Sequence, residues 1–259
     1  MAPLFRFADM SEAPEHLDYL LRRWPYEFGE VSARVVMGVD GRSVLQLRVD
    51  MGVLQMETTG RPDGTRPGGF DTYYDYLLSL AFEEGQSFEL NAERCLEIDR
   101  EFLQFFHRRI CWLALRDFER AAADAEHTLA LMNFSTAHAP SEQWAEMHEQ
   151  YRPFVLFHRI QATALAQLEK DKAGAAIGVL DAGLEELRKV YVEGPLEEAD
   201  DFDDDDLVLS LREMKDAIAE HYRVKPSLAE QLDQAVASEK YELAARLRDR
   251  IARQRRPSL

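Results

Sequence analysis

Apolar residues change their spacing several times along the chain, and each spacing predicts a different element. Over 33–58, Val35, Met37 and Val39 alternate with other residues, and Asp40-Gly41 follows. The runs Val44–Val49 and Val53–Glu57 complete the stretch. Alternation marks half-buried strands, and Asp-Gly between two such runs marks a hairpin. The segment therefore predicts a three-stranded antiparallel meander, which needs a covered face to persist. Upstream, Glu15–Arg23 predicts a short helix limited by Pro25. Gly60–Gly69 holds four glycines and two prolines, the composition of a turn-rich connector.

From Phe70 the period becomes helical. Asp71 is placed to cap a helix over Thr72–Glu84, and Asn91 one that runs to about Leu115. Arg116-Asp117 breaks the pattern before Phe118–Met132. Pro140-Ser141 opens one helix or two reaching Glu169. Lys170–Lys172 interrupts, and Ala173–Tyr191 pairs back. Glu193–Asp206 carries nine acidic residues and no basic one, so like-charge repulsion predicts an extended linker. Asp206 is placed to cap Leu207–Tyr222. In Ser227–Gln254, residues Leu228, Leu232, Ala235 and Val236 recur at helical spacing. The pattern breaks at Ser238–Lys240 and resumes with Tyr241, Ala244, Leu247 and Ile251, which predicts two short helices in a hairpin.

Two earlier stretches resemble each other. Residues 110–132 and 162–187 each contain a helix, a charged break at Asp117 or Asp171, and an Ala-Ala pair (Ala121-Ala122, Ala175-Ala176). This is similar to the tetratricopeptide (TPR) repeat, in which small residues let paired helices approach. Arg108-Arg109 stands where that repeat usually has a small residue, and the consensus proline is missing from both units. The C-terminal hairpin resembles the UVR motif of the excision-repair proteins UvrB and UvrC. The likeness rests on Leu228, Leu232, the Tyr241–Ala245 run and Leu247-Arg248-Asp249-Arg250-Ile251. Taken in order, 48–70, 102–132, the acidic stretch and the hairpin resemble an uncharacterised family of bacterial UVR-motif proteins. The resemblance implies a layout and no established reaction.

The expected fold class is α+β, mostly α. A small N-terminal antiparallel meander packs on a TPR-like bundle, and a UVR-like hairpin follows. The expected segments are 1–69 (sheet region), 70–192 (TPR-like domain), 193–206 (acidic linker), 207–226 (connecting helix) and 227–256 (hairpin).

Charge narrows the partners. The formal net charge is −17, which opposes non-specific association with nucleic acid or anionic membrane. Residues 240–256 reverse the sign, with seven basic residues against Glu242 and Asp249. This tail is expected to be attracted to the acidic linker, in its own chain or another. Two cysteines, Cys95 and Cys111, without C-x-x-C spacing fit a reducing compartment. The first residues lack a signal-peptide pattern and no run is long enough to span a bilayer, so the expected location is the cytoplasm.

Candidate chemistry is sparse. H-E-x-x-H, Glu-x-x-His, the P-loop, G-x-G-x-x-G and G-x-S-x-G are all absent. Asp124-x-x-His127 is expected on a solvated helix face. His107 and His158 lie in apolar contexts and are expected to hydrogen-bond between helices. Cys111 is expected to be packed, with Arg108 and Arg109 leaving open a lowered thiol pKa. Glu97, Asp99, Arg100, Glu101, Arg108 and Arg109 crowd one helix and are expected to pair on its surface, the alternative being that a TPR-like groove presents some of them to a peptide. Arg61, Asp63 and Arg66 could contact an anion or peptide, or merely serve a rigid loop. No cofactor or metal is expected.

The expected function is therefore a non-enzymatic adaptor that binds a protein partner or a second copy through its hairpin, with a TPR-like groove as a second candidate docking surface. Leu232, Val236, Tyr241, Ala244, Leu247 and Ile251 would supply apolar contact, with Arg248 and Asp249 setting register. A nucleic-acid-linked factor of excision repair and an enzyme with its site near the 60–69 loop are the alternatives.

Overall fold

The computed structural model describes residues 16–193, 199–224 and 228–254. The chain divides into two units, Met1–Pro140 and Ser141–Leu259. The boundary falls inside the expected 70–192 segment, so its two helical hairpins lie in different units.

In the first unit, helix α1 spans Asp18–Arg23, and Glu15 lies outside the described residues. Strands β1 (Ala33–Met37), β2 (Ser43–Val49) and β3 (Gly52–Glu57) form an antiparallel sheet in the order β1-β2-β3. The meander is as the alternation predicts. Gly41 takes the left-handed conformation that the Asp-Gly turn requires (φ 81°). Val44, Leu45 and Leu47 of central β2 are buried, and the long helix of this unit packs on that strand.

Helix α2 spans Tyr73–Glu84 and is capped by Thr72, not Asp71. The Thr72 hydroxyl accepts from the Asp75 N–H and donates to the Asp75 carboxylate. Asp71 instead pairs with Arg66 at 2.7 Å. Helix α3 (Ala92–Ala114) is capped by Asn91 as expected, and α4 (Phe118–Ala137) runs five residues past the expected Met132. Ile98, Phe105, Cys111 and Trp112 of α3 form the core with Ala121, Ala125 and Leu131 of α4.

In the second unit, Ser141 caps the first of a pair of helices, α5 (Glu142–Glu149) and α6 (Arg152–Glu169), as the Pro140-Ser141 break predicts. Helix α7 (Ala173–Glu193) packs closely on α6: a Cβ built on Gly183 would stand 2.5 Å from Ile160. The acidic stretch departs from expectation. Residues 194–198 lie outside the described residues, but Ala199–Asp204 is a short 3-10 helix rather than extended chain. Phe202 is the reason. It is buried against Tyr191 (ring centroids 5.4 Å apart), with the Arg188 guanidinium 4.5 Å above its ring. Asp203 pairs with Arg212 and lies 3.7 Å from Arg188, so its charge is met within the unit. Helix α8 (Asp206–Tyr222) is capped by Asp205, not Asp206; that carboxylate accepts from the Leu207 and Val208 N–H groups. Helices α9 (Leu228–Ala237) and α10 (Tyr241–Gln254) follow the predicted hairpin bounds.

One turn recurs at three helical hairpins among the described residues. Leu115–Asp117, Lys170–Lys172 and Ser238–Lys240 each place a non-glycine residue in the left-handed region: Arg116 (φ 61°), Asp171 (φ 57°) and Glu239 (φ 57°). In each, the next N–H reaches back to an orphan carbonyl: Asp117 to Trp112, Lys172 to Gln167, Lys240 to Ala235. These are Schellman closures, which usually use glycine. The charged breaks are legible in the sequence, but their shared geometry is not, because glycine is missing from each.

Candidate docking hairpin and polar core

Helices α9 and α10 build the hairpin from residues three and four apart. Ala235, Ala244 and Leu247 are buried between them, with Leu228 and Leu232 packed against that cluster. Small Ala235 and Ala244 allow close approach, and Leu247 supplies the bulk. The last residue of the turn, Lys240, donates its N–H back to Ala235, which closes the hairpin directly over this cluster.

Other side chains of the hairpin face outward, the expected contact residues Val236 and Tyr241 among them. Val236 (51% exposed), Tyr241 (68%) and Leu243 are open on the outside. Arg248 and Asp249 are both exposed and lie 3.2 Å from each other. Lys240, Arg246 and Arg250 are exposed as well. Ile251 belongs to α10, but its side chain falls outside the described residues, as do Arg255 and Arg256. The hairpin thus has a narrow apolar interior and an outer surface that mixes apolar and cationic side chains.

Residues 223–255 match the UVR family model, described as the UvrB/uvrC motif. The match spans α9, α10 and the residues that lead into them. No curated protein and no solved structure matches the chain. The UVR hairpin is therefore the part of the chain tied to known proteins, and the two units before it are characterised by their own geometry.

The first unit holds a polar core that the sequence places wrongly. Glu101, Arg108 and Arg109, expected on a helix surface, are all buried. Helix α3 lies against both the sheet and α4, and these three side chains fall on its packed faces. The Glu101 carboxylate accepts from the Tyr73 N–H (2.7 Å), the Tyr74 N–H (3.0 Å) and His127 Nε2 (3.0 Å). It thereby satisfies two of the orphan donors at the start of α2. Arg108 makes a two-pronged bond to Asp124 (2.9 and 2.7 Å) and donates to the Gly60 carbonyl (2.8 Å). Burial pushes the Asp124 carboxyl up, against the pull of Arg108. Burial also lowers Arg109 to about 10, and that side chain donates to Thr128.

Asp124 and His127 accordingly leave the solvated face expected of them. His127 stacks on Phe105 with centroids 3.8 Å apart. Their neighbours on α4 read as polar, but α3 brings an arginine and a glutamate to meet them. Cys111 is packed as expected, and the lowered thiol pKa is overturned: burial pushes the thiol up to about 12, with Asp124 adding to the rise. The neighbouring arginines are already committed to Asp124 and Thr128. His107 is held below its ordinary value by burial. His158 is buried, with its ring 4.3 Å from that of Phe154.

Arg61 is the loop's anchor. It is buried, 2.6 Å from Glu97 and 3.5 Å from both Asp63 and Glu101. Asp63 accepts from the Thr65 N–H, the Thr65 hydroxyl and Gln104. Arg66 is exposed and paired with Asp71. The three residues do not converge on a shared space. Their contacts fit the rigid-loop reading, in which Arg61 ties Gly60–Gly69 to α3, and they leave an incoming anion no open buried cation there.

Among the described residues, no helix is long and apolar enough to cross a membrane, and no group of three or more His, Cys, Asp or Glu is placed to hold a metal ion.

Proposed function

We propose that the protein is a non-enzymatic interaction adaptor that docks through its UVR hairpin. The observation that carries the reading is the exposure of Val236, Tyr241 and Leu243 on a hairpin whose own interior is filled by Ala235, Ala244 and Leu247. A helical pair this small buries little apolar surface by itself, so covering the outer residues adds stability. The flanking Lys240, Arg246 and Arg250 favour a partner with acidic side chains around an apolar stripe. The α3–α4 and α6–α7 hairpins are read as TPR-like supports, and the setting as the bacterial cytoplasm.

Affinity capture with the full chain tests this. Tyr241→Ser and Val236→Ser leave the hairpin interior intact, whereas Leu247→Asp puts a charge into it. Partners retained by wild type and lost by all three variants support docking. Partners retained by all three remove the hairpin from the interaction.

The exposed cationic side chains also favour a second reading, a nucleic-acid-linked factor. Binding of the full chain to duplex DNA that weakens steeply with salt and is lost in Arg246→Glu/Arg250→Glu would select it. An absence of binding at low salt ends it.

A further inference from the structure

The two edges of the three-stranded sheet are not alike. At β3, the Glu57 N–H donates to the Pro62 carbonyl, and the Glu57 carbonyl accepts from Arg108 (3.2 Å). The loop anchored by Arg61 therefore covers that edge at its end. Among the described residues, strand β1 has no such cover. The Arg48 N–H donates to the Ser32 carbonyl, and the Gly38 N–H to the Arg42 carbonyl. Antiparallel pairing alternates the bonded residues, so Ser32, Arg34, Val36 and Gly38 face β2. Ala33, Val35 and Met37 then direct their N–H and C=O groups outward, and no partner meets those groups among the described residues.

An open edge is a template for another strand, and proteins usually blunt it with lysine, proline or a bulge. Val31–Val39 contains no lysine, no proline and no acidic residue. Its one charge, Arg34, is turned to Gln46 (2.8 Å) and lies over Trp24. Val35 (46% exposed) and Met37 (66%) stand open beside the edge.

We propose that β1 pairs antiparallel with β1 of a second copy, about a two-fold axis at Val35, to give a continuous six-stranded sheet. In this register Val35 faces Val35 of the second copy, and Ala33 faces Met37. Each of these pairs exchanges two hydrogen bonds. Arg34 faces Val36 of the second copy, so no like charges oppose each other. That matters in a chain of net charge −17, where most surfaces repel a second copy. The edge is a segment on which two copies can meet without stacking carboxylates, and the identical strand makes the contact self-complementary. The pairing uses the sheet and is independent of the hairpin.

The test is the mass of the full chain by light scattering over a concentration series. Val35→Pro removes only an outward N–H and leaves the bonds to β2 in place. Val35→Lys brings two ammonium groups together on the axis. The expected result is a wild-type dimer that both variants reduce to the monomer mass, with thermal unfolding showing that each remains folded. Val35→Cys adds a measurement that does not depend on tolerance of those changes. Positions 35 of two copies lie within reach of a short bis-maleimide, whereas Cys95 and Cys111 are buried, so cross-linked dimer is expected. A monomeric wild type overturns the proposal. So does a dimer that survives both variants and resists cross-linking at position 35. A dimer lost in Leu247→Asp and kept in Val35→Pro assigns self-association to the hairpin and likewise overturns it.

Discussion

Replacing Glu101 with leucine tests whether the buried polar core holds the first unit together. Glu101 is fully buried and accepts from the first two N–H groups of α2 and from His127. Leucine fills a similar volume and accepts nothing. Two helix-terminal donors, the His127 ring nitrogen and part of the Arg61 charge then lose their partner together. Each buried donor left unsatisfied costs about 1–3 kcal/mol, and removal of one member of a buried charged cluster about 3–5 kcal/mol. These overlap, because Arg61 keeps Glu97, so the expected loss is about 3–5 kcal/mol in all. For a unit of this size, the unfolding entropy is on the order of 0.3 kcal/mol per kelvin, which converts the loss to a Tm drop of about 10–17 °C. Glu101→Gln keeps one acceptor oxygen and should fall between. The assay is guanidinium unfolding followed by tryptophan fluorescence, with hydrogen exchange resolved over 73–84. Loss of protection should begin at the start of α2. A Glu101→Leu variant within about 1 kcal/mol of wild type would refute the reasoning.

Gly183→Ala should destabilise the α6–α7 pair by about 1–3 kcal/mol despite alanine's better helix propensity, because the new Cβ meets Ile160; Ile160→Ala in the same chain should recover part of it, read from thermal unfolding as a double-mutant cycle. Asp171→Gly should raise stability by about 0.5–1 kcal/mol by relieving a left-handed non-glycine residue, and an unchanged or lower midpoint would contradict the turn geometry. Both thiols should be silent towards an aromatic disulfide reagent at pH 8 in the native chain and react at once in denaturant, since burial pushes Cys95 and Cys111 up. Acid should loosen the first unit. Burial alone would raise Glu97 and Asp63, but the hydrogen bonds from Arg61 and Arg100 to the first, and from Thr65 and Gln104 to the second, leave both below the ordinary carboxylate range. With folded values below unfolded ones, their contribution is complete above about pH 4.3 and is lost as pH falls through the folded values; a unit equally stable across that fall would contradict it.

The local elements were legible because local chemistry makes them. Alternation over 33–58 and the Asp-Gly turn determined the meander, and three- and four-residue spacing with the Asn91 cap and the breaks at Arg116-Asp117 and Pro140-Ser141 determined the helix starts that follow them. The hairpin at 228–254 was equally local: its interior residues Leu232, Ala244 and Leu247 recur on one face of each helix. Small cap assignments slipped from Asp71 to Thr72 and from Asp206 to Asp205. Adjacent acceptors compete at a helix start, and the choice between them depends on backbone angles one residue wide.

What tertiary structure decided was the fate of charge. The sequence of α3 presents Glu101, Arg108 and Arg109 as a solvated stripe, since charges at helical spacing usually pair on a surface. Only the approach of the 60–69 loop, α2 and α4 supplies the carbonyls, N–H groups, Asp124 and His127 that make burial affordable to them. These partners come from positions 16 to 51 residues away, beyond the reach of any local pattern. The same holds for Phe202, which pins an acidic stretch that repulsion alone would extend, and for Val236 and Tyr241. Periodicity assigned those two to an apolar face; the crossing of α9 and α10 turned them outward, because two narrow helices can cover only the residues at the centre of their contact.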